Sequence, residues 1–239
     1  MGFTDSASGN LAFHVGDDAG TVQANRERLN RELSTLSGTA VRLRYMNQVH
    51  GNSVAVIDGL SEPGPTADAL VSRTADLAVM VADCVPVMLV GTDAAGESLL
   101  GAVHAGRPGV QAGVIPAAVA QLRAGGAQNI KAWIGPSVCG RCYEVPEALR
   151  TAVADAVPAA HATTSWGTPA LDLPAAVESQ LAAAGVDYEN VGVCTLEHAS
   201  LYSHRRSVRD GEPEGRFIGF AVGGRQARAM DNSRYEQHG

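Results

Sequence analysis

The chain has 239 residues, enough to build a sizeable core in one large α/β domain or two small ones. Apolar residues make up 45% and charged residues 18%, the balance of an ordinary globular protein, and with aromatics at 5% the core has to come from Val, Leu, Ile and Ala. The formal charge of −7 comes with no basic tract, which argues against a nucleic-acid-binding module, because such a module needs a dense cationic face to neutralise phosphates.

In chain order, residues 1–19 read as loop, being rich in Gly, Ser, Asp and Asn. Thr21 to Leu36 reads as a helix, with Val22, Leu29, Leu33 and Leu36 near helical spacing. Val41 to Gln48 and Ser53 to Ile57 read as strands separated by the break His50-Gly51-Asn52, and Asp68 to Ser72 as a short strand. Leu77 to Val90 is a long apolar run interrupted by Asp83, Cys84 and Pro86. Its β-branched residues and Pro86 favour two buried strands over one buried helix. After a turn at Thr92 to Glu97, Ser98 to Val103 is a strand that closes on His104-Ala105-Gly106. Val110 to Ala124 reads as a helix in which Pro116 marks a kink or the true start. Lys131 to Ile134 is a strand, Pro146 to Ala156 a helix, Pro158 to Pro169 a loop and Leu173 to Ala184 a helix. Val191 to Cys194 and Phe217 to Val222 are the last strands, and the tail from about residue 226 is polar. Strands and helices mix along the whole chain without repeats or a linker, so residues 1–239 are expected to form one α/β domain.

No apolar run reaches the length of a membrane-spanning helix, and residues 1–20 lack a basic start and an apolar stretch. The expected location is cytoplasmic, with Cys84, Cys139, Cys142 and Cys194 reduced. No P-loop, dinucleotide-binding glycine fingerprint or nucleophile elbow is present. Polar, reactive residues do stand at strand ends: His50 before Gly51, Cys84 inside an apolar run, and His104 before Gly106. Two imidazoles and a thiolate suit Zn²⁺ and leave a fourth position for water or substrate. The same residues also read as two structural histidines and a small buried cysteine, because no local motif brings them together. Cys139-Gly140-Arg141-Cys142 reads as a structural or incidental pair. A zinc ribbon needs a second pair, which Cys84 and Cys194 do not form, and a redox pair should open a helix after a first strand. Tyr202 to Arg206 is the densest cationic point, read either as a solvated loop or as a guanidinium fork for an anion.

Taken together, Gln48-Val49-His50-Gly51, Ala67-Asp68-Ala69-Leu70, Asp83-Cys84-Val85-Pro86, His104-Ala105-Gly106 and Ile134-Gly135-Pro136 with Tyr143-Glu144-Val145 resemble the YfiH, or laccase-domain, family over nearly the whole chain. Members were long labelled multicopper polyphenol oxidases and are understood as purine nucleoside phosphorylases that also deaminate adenosine. The resemblance implies a layered α-β-β-α fold with mixed sheets, and His50, Cys84 and His104 as metal and catalytic residues. The expected substrate-binding side chains are Gln48, Arg107, Arg205 and Arg206. Two segments depart from the family. Arg107-Pro108-Gly109 stands where Trp-Arg-Gly is usual, and Ser203-His204-Arg205-Arg206 where Ser-Tyr-Arg-Arg is usual.

Three chemistries then compete. The resemblance favours zinc-dependent phosphorolysis of purine nucleosides, with inosine, adenosine or methylthioadenosine and phosphate as small-molecule partners, and adenosine deamination beside it. A copper phenol oxidase is the alternative. A full laccase site needs on the order of ten His, however, and the chain has seven. A metal-free cysteine hydrolase would use Cys84 as nucleophile and His104 as base.

Overall fold

The computed structural model describes residues 1–57 and 64–223, so the polar tail lies outside the described residues. In chain order the elements are β1 (Gly2–Phe3), α1 (Ala19–Ser37), β2 (Leu43–Arg44), β3 (Val54–Val56), β4 (Ala69–Ser72), β5 (Asp76–Val81), β6 (Val85–Thr92), β7 (Ser98–Ala105), α2 (Arg107–Gln111), α3 (Val114–Ala124) and β8 (Lys131–Ile134). Then follow α4 (Glu147–Ala156), β9 (His161–Thr163), β10 (Pro169–Leu171), α5 (Leu173–Ala183), β11 (Asp187–Asn190), α6 (His204–Asp210) and β12 (Phe217–Ala221).

Two mixed sheets stack. The smaller runs β1-β12-β5-β2 and the larger β11-β8-β6-β7-β4-β3. Period-two alternation assigns each strand face. Along β5, Leu77, Val79 and Val81 join Met88, Leu100, Ala102 and Phe217 in the core between the sheets. Ala78 and Met80 point the other way, to Leu29 and Leu33 of α1. The far face of the large sheet, with Val85, Val87, Leu89 and Val103, buries Ile115, Val119 and Leu122 of α3 and Val177 and Leu181 of α5. The order is helix, sheet, sheet, helices: the α-β-β-α sandwich expected from the resemblance, in one domain.

Helix ends follow local chemistry. Asp18 caps α1 by accepting from the Thr21 N–H, and Gly38 closes it in the left-handed conformation at φ 70°. The single helix expected at Val110 to Ala124 is two, because Gly113 at φ 79° breaks the chain between α2 and α3; Pro116 sits in the first turn of α3, where its missing N–H costs nothing. Other corrections share a cause. The strand expected at Val191 to Cys194 lies at Asp187–Asn190, which is exposed throughout and pairs in parallel with β8. A charged edge strand carries no hydrophobic signature, so the apolar residues just after it draw the assignment. The expected loop at Pro158 to Pro169 contains the small β9–β10 hairpin, and the expected N-terminal loop contains β1, paired with β12.

Candidate functional site

The β5–β6 connection crosses from the small sheet to the large one in three residues, Ala82, Asp83 and Cys84. Asp83 makes the turn at φ 81°, a left-handed conformation that is uncommon for a residue with a side chain. It is held by its own carboxylate, which accepts from Thr195 Oγ1 at 2.6 Å and from the Arg205 N–H at 2.8 Å. The turn sets Cys84 at the floor of a cleft. His104, buried near the end of β7, lies beside it. His50 arrives from the segment after β2 and is itself left-handed at φ 59°. Its Nε2 is 3.8 Å from Cys84 Sγ, and its ring meets that of His104 edge to face at 4.7 Å.

One buried carboxylate positions both histidines. Asp68, at the head of β4, accepts from the main-chain N–H groups of Val49 (3.2 Å), His50 (2.9 Å) and Gly51 (2.7 Å), and its Oδ1 lies 2.8 Å from His104 Nδ1. The three N–H groups hold the strained His50 turn. The contact to Nδ1 fixes the His104 ring so that Nε2 faces the site. Gly106 completes the close approach. A Cβ there would lie 2.7 Å from His50 Cδ2 and 3.4 Å from Cys84 Sγ.

The electrostatics follow from this packing. Burial works against ionisation of the Cys84 thiol, but His104 and His50 outweigh it by charge and hydrogen bonding and bring it down to about 6. Burial likewise opposes protonation of His104, yet the Cys84 thiolate and Asp68 raise it to about 9. Burial would raise Asp68 too, but the bonds from His104 and from the Gly51 and His50 N–H groups hold it below the usual carboxylate range. The two shifts share one cause, each group favouring the charged form of the other.

The donor set fits a divalent zinc-like ion. The ligand atoms of His50, Cys84 and His104 lie within 4.8 Å of one another. Zn–N and Zn–S bonds of about 2.0 and 2.3 Å put tetrahedral ligands about 3.3–3.8 Å apart, so small side-chain shifts suffice. An Asp68–His104 pair behind the ligand is the outer shell such sites use.

The cleft above has a volume of about 580 Å³, within the range of small-molecule sites. Its walls carry Arg107, Arg205 and Arg216, the last paired with Glu214 at 2.8 Å, together with His14 and His204. Arg107 is the first residue of α2. The Arg205 guanidinium carbon lies over the Tyr143 ring, 4.3 Å from its centre. Adjacent Arg206 is turned away from the cleft. Its guanidinium pairs with Glu212 at 2.6 Å and donates to the carbonyls of Thr195, Leu196, His198 and Leu201. The two arginines diverge because residues 204–210 are helix α6, capped by Ser203 and ended by Gly211, and not the loop read from composition. Gln48 lines the cleft, but its carboxamide pairs with the Met80 main chain as a strand would, donating at 2.7 Å and accepting at 2.9 Å.

The residues read at three strand ends therefore converge with Arg107 and Arg205, while Arg206 is occupied elsewhere and Gln48 is a backbone clamp. Reading by residue type missed Asp68, Asp83, Tyr143 and Arg216. The signal for the first two was a carboxylate inside an apolar strand pattern, which burial makes costly unless it is fully bonded.

The family described as multi-copper polyphenol oxidoreductase laccase matches residues 3–223. A purine nucleoside phosphorylase of Streptomyces coelicolor is 46% identical over 231 residues, covering 90% of this chain and 93% of its own. One of Streptomyces griseus is 48% identical over 214 residues, covering 86% and 85%. Among solved structures, YlmD from Geobacillus stearothermophilus superposes with a TM-score of 0.75 at 31% identity, covering 95% of this chain and 89% of the other. The Bacillus licheniformis hypothetical protein YfiH superposes with 0.74 at 25% identity, covering 92% and 90%. No helix among the described residues is long and apolar enough to cross a membrane.

Proposed function

The chain belongs to the family described as multi-copper polyphenol oxidoreductase laccase, and from that premise we propose that it is a zinc-dependent purine nucleoside phosphorylase that also deaminates adenosine. The observation that carries this reading is one cleft in which the His50, Cys84 and His104 ligand set faces Arg107 and Arg205. Relatives named purine nucleoside phosphorylase at 46% and 48% identity support the substrate class.

Phosphorolysis needs phosphate held against the sugar C1′ and a purine that leaves with the glycosidic electron pair. Arg205, held over the Tyr143 ring, and Arg107 suit the phosphate oxygens. Together they give the cleft a positive potential that draws an anion to a negatively charged protein. His50, Cys84 and His104 would hold the zinc, and Asp68 orients the His104 imidazole and holds the His50 main chain. Bound there, the metal supplies Lewis acidity toward the base and, for deamination, an activated water.

Copper oxidation of phenols has little support. Among the described residues two groups could hold a metal, and the second contains no histidine, whereas a multicopper centre is built on many imidazoles. A metal-free hydrolase at Cys84 would use the same thiolate and imidazolium but gives Arg107 and Arg205 no task.

The test is a nucleoside panel with and without phosphate, with products separated by chromatography. Adenosine and inosine should release free base and ribose 1-phosphate only when phosphate is present. Adenosine should also yield inosine without phosphate, and both activities should vanish in Cys84→Ala. Base release that is independent of phosphate would overturn the phosphorylase reading.

A further inference from the structure

The second group of ligand-type side chains lies behind the cleft wall. β8 and β11 run in parallel, and their pairing continues past the strands through a bridge between Ser137 and Cys194. The Ser137 N–H donates to the Val193 carbonyl at 3.2 Å and the Thr195 N–H to the Ser137 carbonyl at 3.1 Å. Two residues on, the Cys139 N–H donates to Cys194 Sγ at 3.4 Å. The chain then turns tightly, with the N–H groups of Cys142 and Tyr143 both donating to the Cys139 carbonyl, at 2.9 and 3.0 Å. This turn brings Cys142 back beside Cys139. Cys142 Sγ lies 3.4 Å from Glu197 Oε1. The ligand atoms of Cys139, Cys142, Cys194 and Glu197 all lie within 4.8 Å of one another.

We propose that Cys139, Cys142, Cys194 and Glu197 form a second metal site, closed and structural, for a thiophilic divalent ion of zinc's chemistry. Two observations beyond the residue types support it. First, backbone bonds from two separate loops enforce the convergence, and a main-chain N–H already points at one sulfur, as in sites that hold thiolate. Second, Cys142 and Cys194 are buried in a small apolar shell with Val138, Leu196 and Tyr143, while Glu197 is exposed. The cluster thus runs from a buried thiol pair to an exposed carboxylate through which an ion can enter. A tetrahedron with Zn–S bonds of about 2.3 Å has sulfurs about 3.8 Å apart, so a small contraction closes it. Zinc binding needs no oxidant: three S–H bonds give their protons to solvent and the sulfur pairs go to the metal. A disulfide would need an oxidant and would leave one of the three thiols over. Four ligands also leave no position for substrate, unlike the three-ligand cleft site.

The site would tie together the loops that build the anion side of the cleft. Tyr143 follows Cys142 and stacks on Arg205. Thr195 follows Cys194, bonds Asp83 and receives Arg206. A metal there fixes the platform under Arg205 and, through Thr195, supports the Asp83 turn that carries Cys84, while Asp68 holds His50 and His104.

Metal content per chain and cobalt substitution of the full-length protein test this, independently of the proposed function. Cys84→Ala removes the thiol from the His50–Cys84–His104 set. Loaded with Co²⁺, that variant should still show a thiolate-to-cobalt charge-transfer band of three-sulfur intensity, saturating at one equivalent. Cys142→Ala and Cys194→Ala should each lose one zinc equivalent relative to the wild type. Glu197→Gln, a surface change that spares the fold, should keep the three-sulfur band and release cobalt faster to a chelator. No thiolate–cobalt band in Cys84→Ala overturns the proposal. So does unreduced protein whose mass shows a disulfide among these cysteines and no second metal.

Discussion

Replacing Asp68 by Asn tests whether one carboxylate organises the site. Asp68 accepts from three main-chain N–H groups and from His104, at 2.7–3.2 Å and fully buried. Asn has one acceptor oxygen. In its better orientation the oxygen keeps the Oδ1 contacts to Val49, His50 and His104, and the NH₂ faces the Gly51 N–H donor to donor. Three charge-assisted bonds fall from about 1.5–3 to about 0.5–1.5 kcal/mol each, and an unsatisfied buried donor costs about 1–3 kcal/mol more. Part of this is regained as the His50 turn relaxes, a strain of about 1–2 kcal/mol. The expected loss is about 3–5 kcal/mol in urea unfolding of metal-free protein. Zinc affinity, measured by chelator competition, should fall about 10–100-fold. The sign with pH is fixed: the Asp68 pKa is lowered on folding, so its contribution is present above the unfolded carboxylate pKa and lost as pH falls through the folded one. Wild type and variant should therefore converge in acid, below about pH 4. A variant within about 1 kcal/mol of wild type at neutral pH, with unchanged zinc affinity, would refute this account.

Three further outcomes follow from the site. In metal-free protein, alkylation of Cys84 should rise through a midpoint near pH 6, because the folded thiol is lowered to about 6; a midpoint near the unperturbed value of about 8.5 would show that His104 and His50 do not stabilise the thiolate. Arg205→Ala should raise the phosphate KM about tenfold or more and spare nucleoside KM, whereas Arg206→Ala should cost about 1–3 kcal/mol of stability by stranding several carbonyls. Equal kinetic effects of the two would contradict their opposite orientation. Gly106→Ala should weaken zinc binding at least about tenfold, measured by dialysis against chelator, because a Cβ would lie 2.7 Å from the His50 ring; full zinc retention would mean that the ring moves freely.

Much of this was legible where hydropathy and breakers agree. The run from Leu77 to Val90 was readable as two strands because Asp83 and Pro86 interrupt it, and the interruption is the turn that carries Cys84. The ligand residues stood out by type, at strand ends. Their convergence did not, because it depends on sheet register: His104 pairs with Pro86, two residues past Cys84, a long-range fact that no local pattern encodes. As neighbours, Arg205 and Arg206 cannot both reach one anion from an extended segment, and Arg206 indeed turns away to pair with Glu212, but the segment that parts them is a capped helix. The exposed strand Asp187–Asn190 hid the partner that brings Cys194 to Cys139.

The three-residue crossing makes the site a link between the two layers. Cys84 is tethered to the small sheet through β5 and to the large one through β6, while His104 belongs to the large sheet and His50 follows a strand of the small one. An ion held by all three spans both layers across the core built on Leu77, Met88 and Phe217. The ligands come together only when both sheets are formed and stacked, so the ion binds the folded domain and not its parts. Loading the cleft should therefore raise the stability of the whole domain, shifting its single unfolding transition and not merely the protection of one loop.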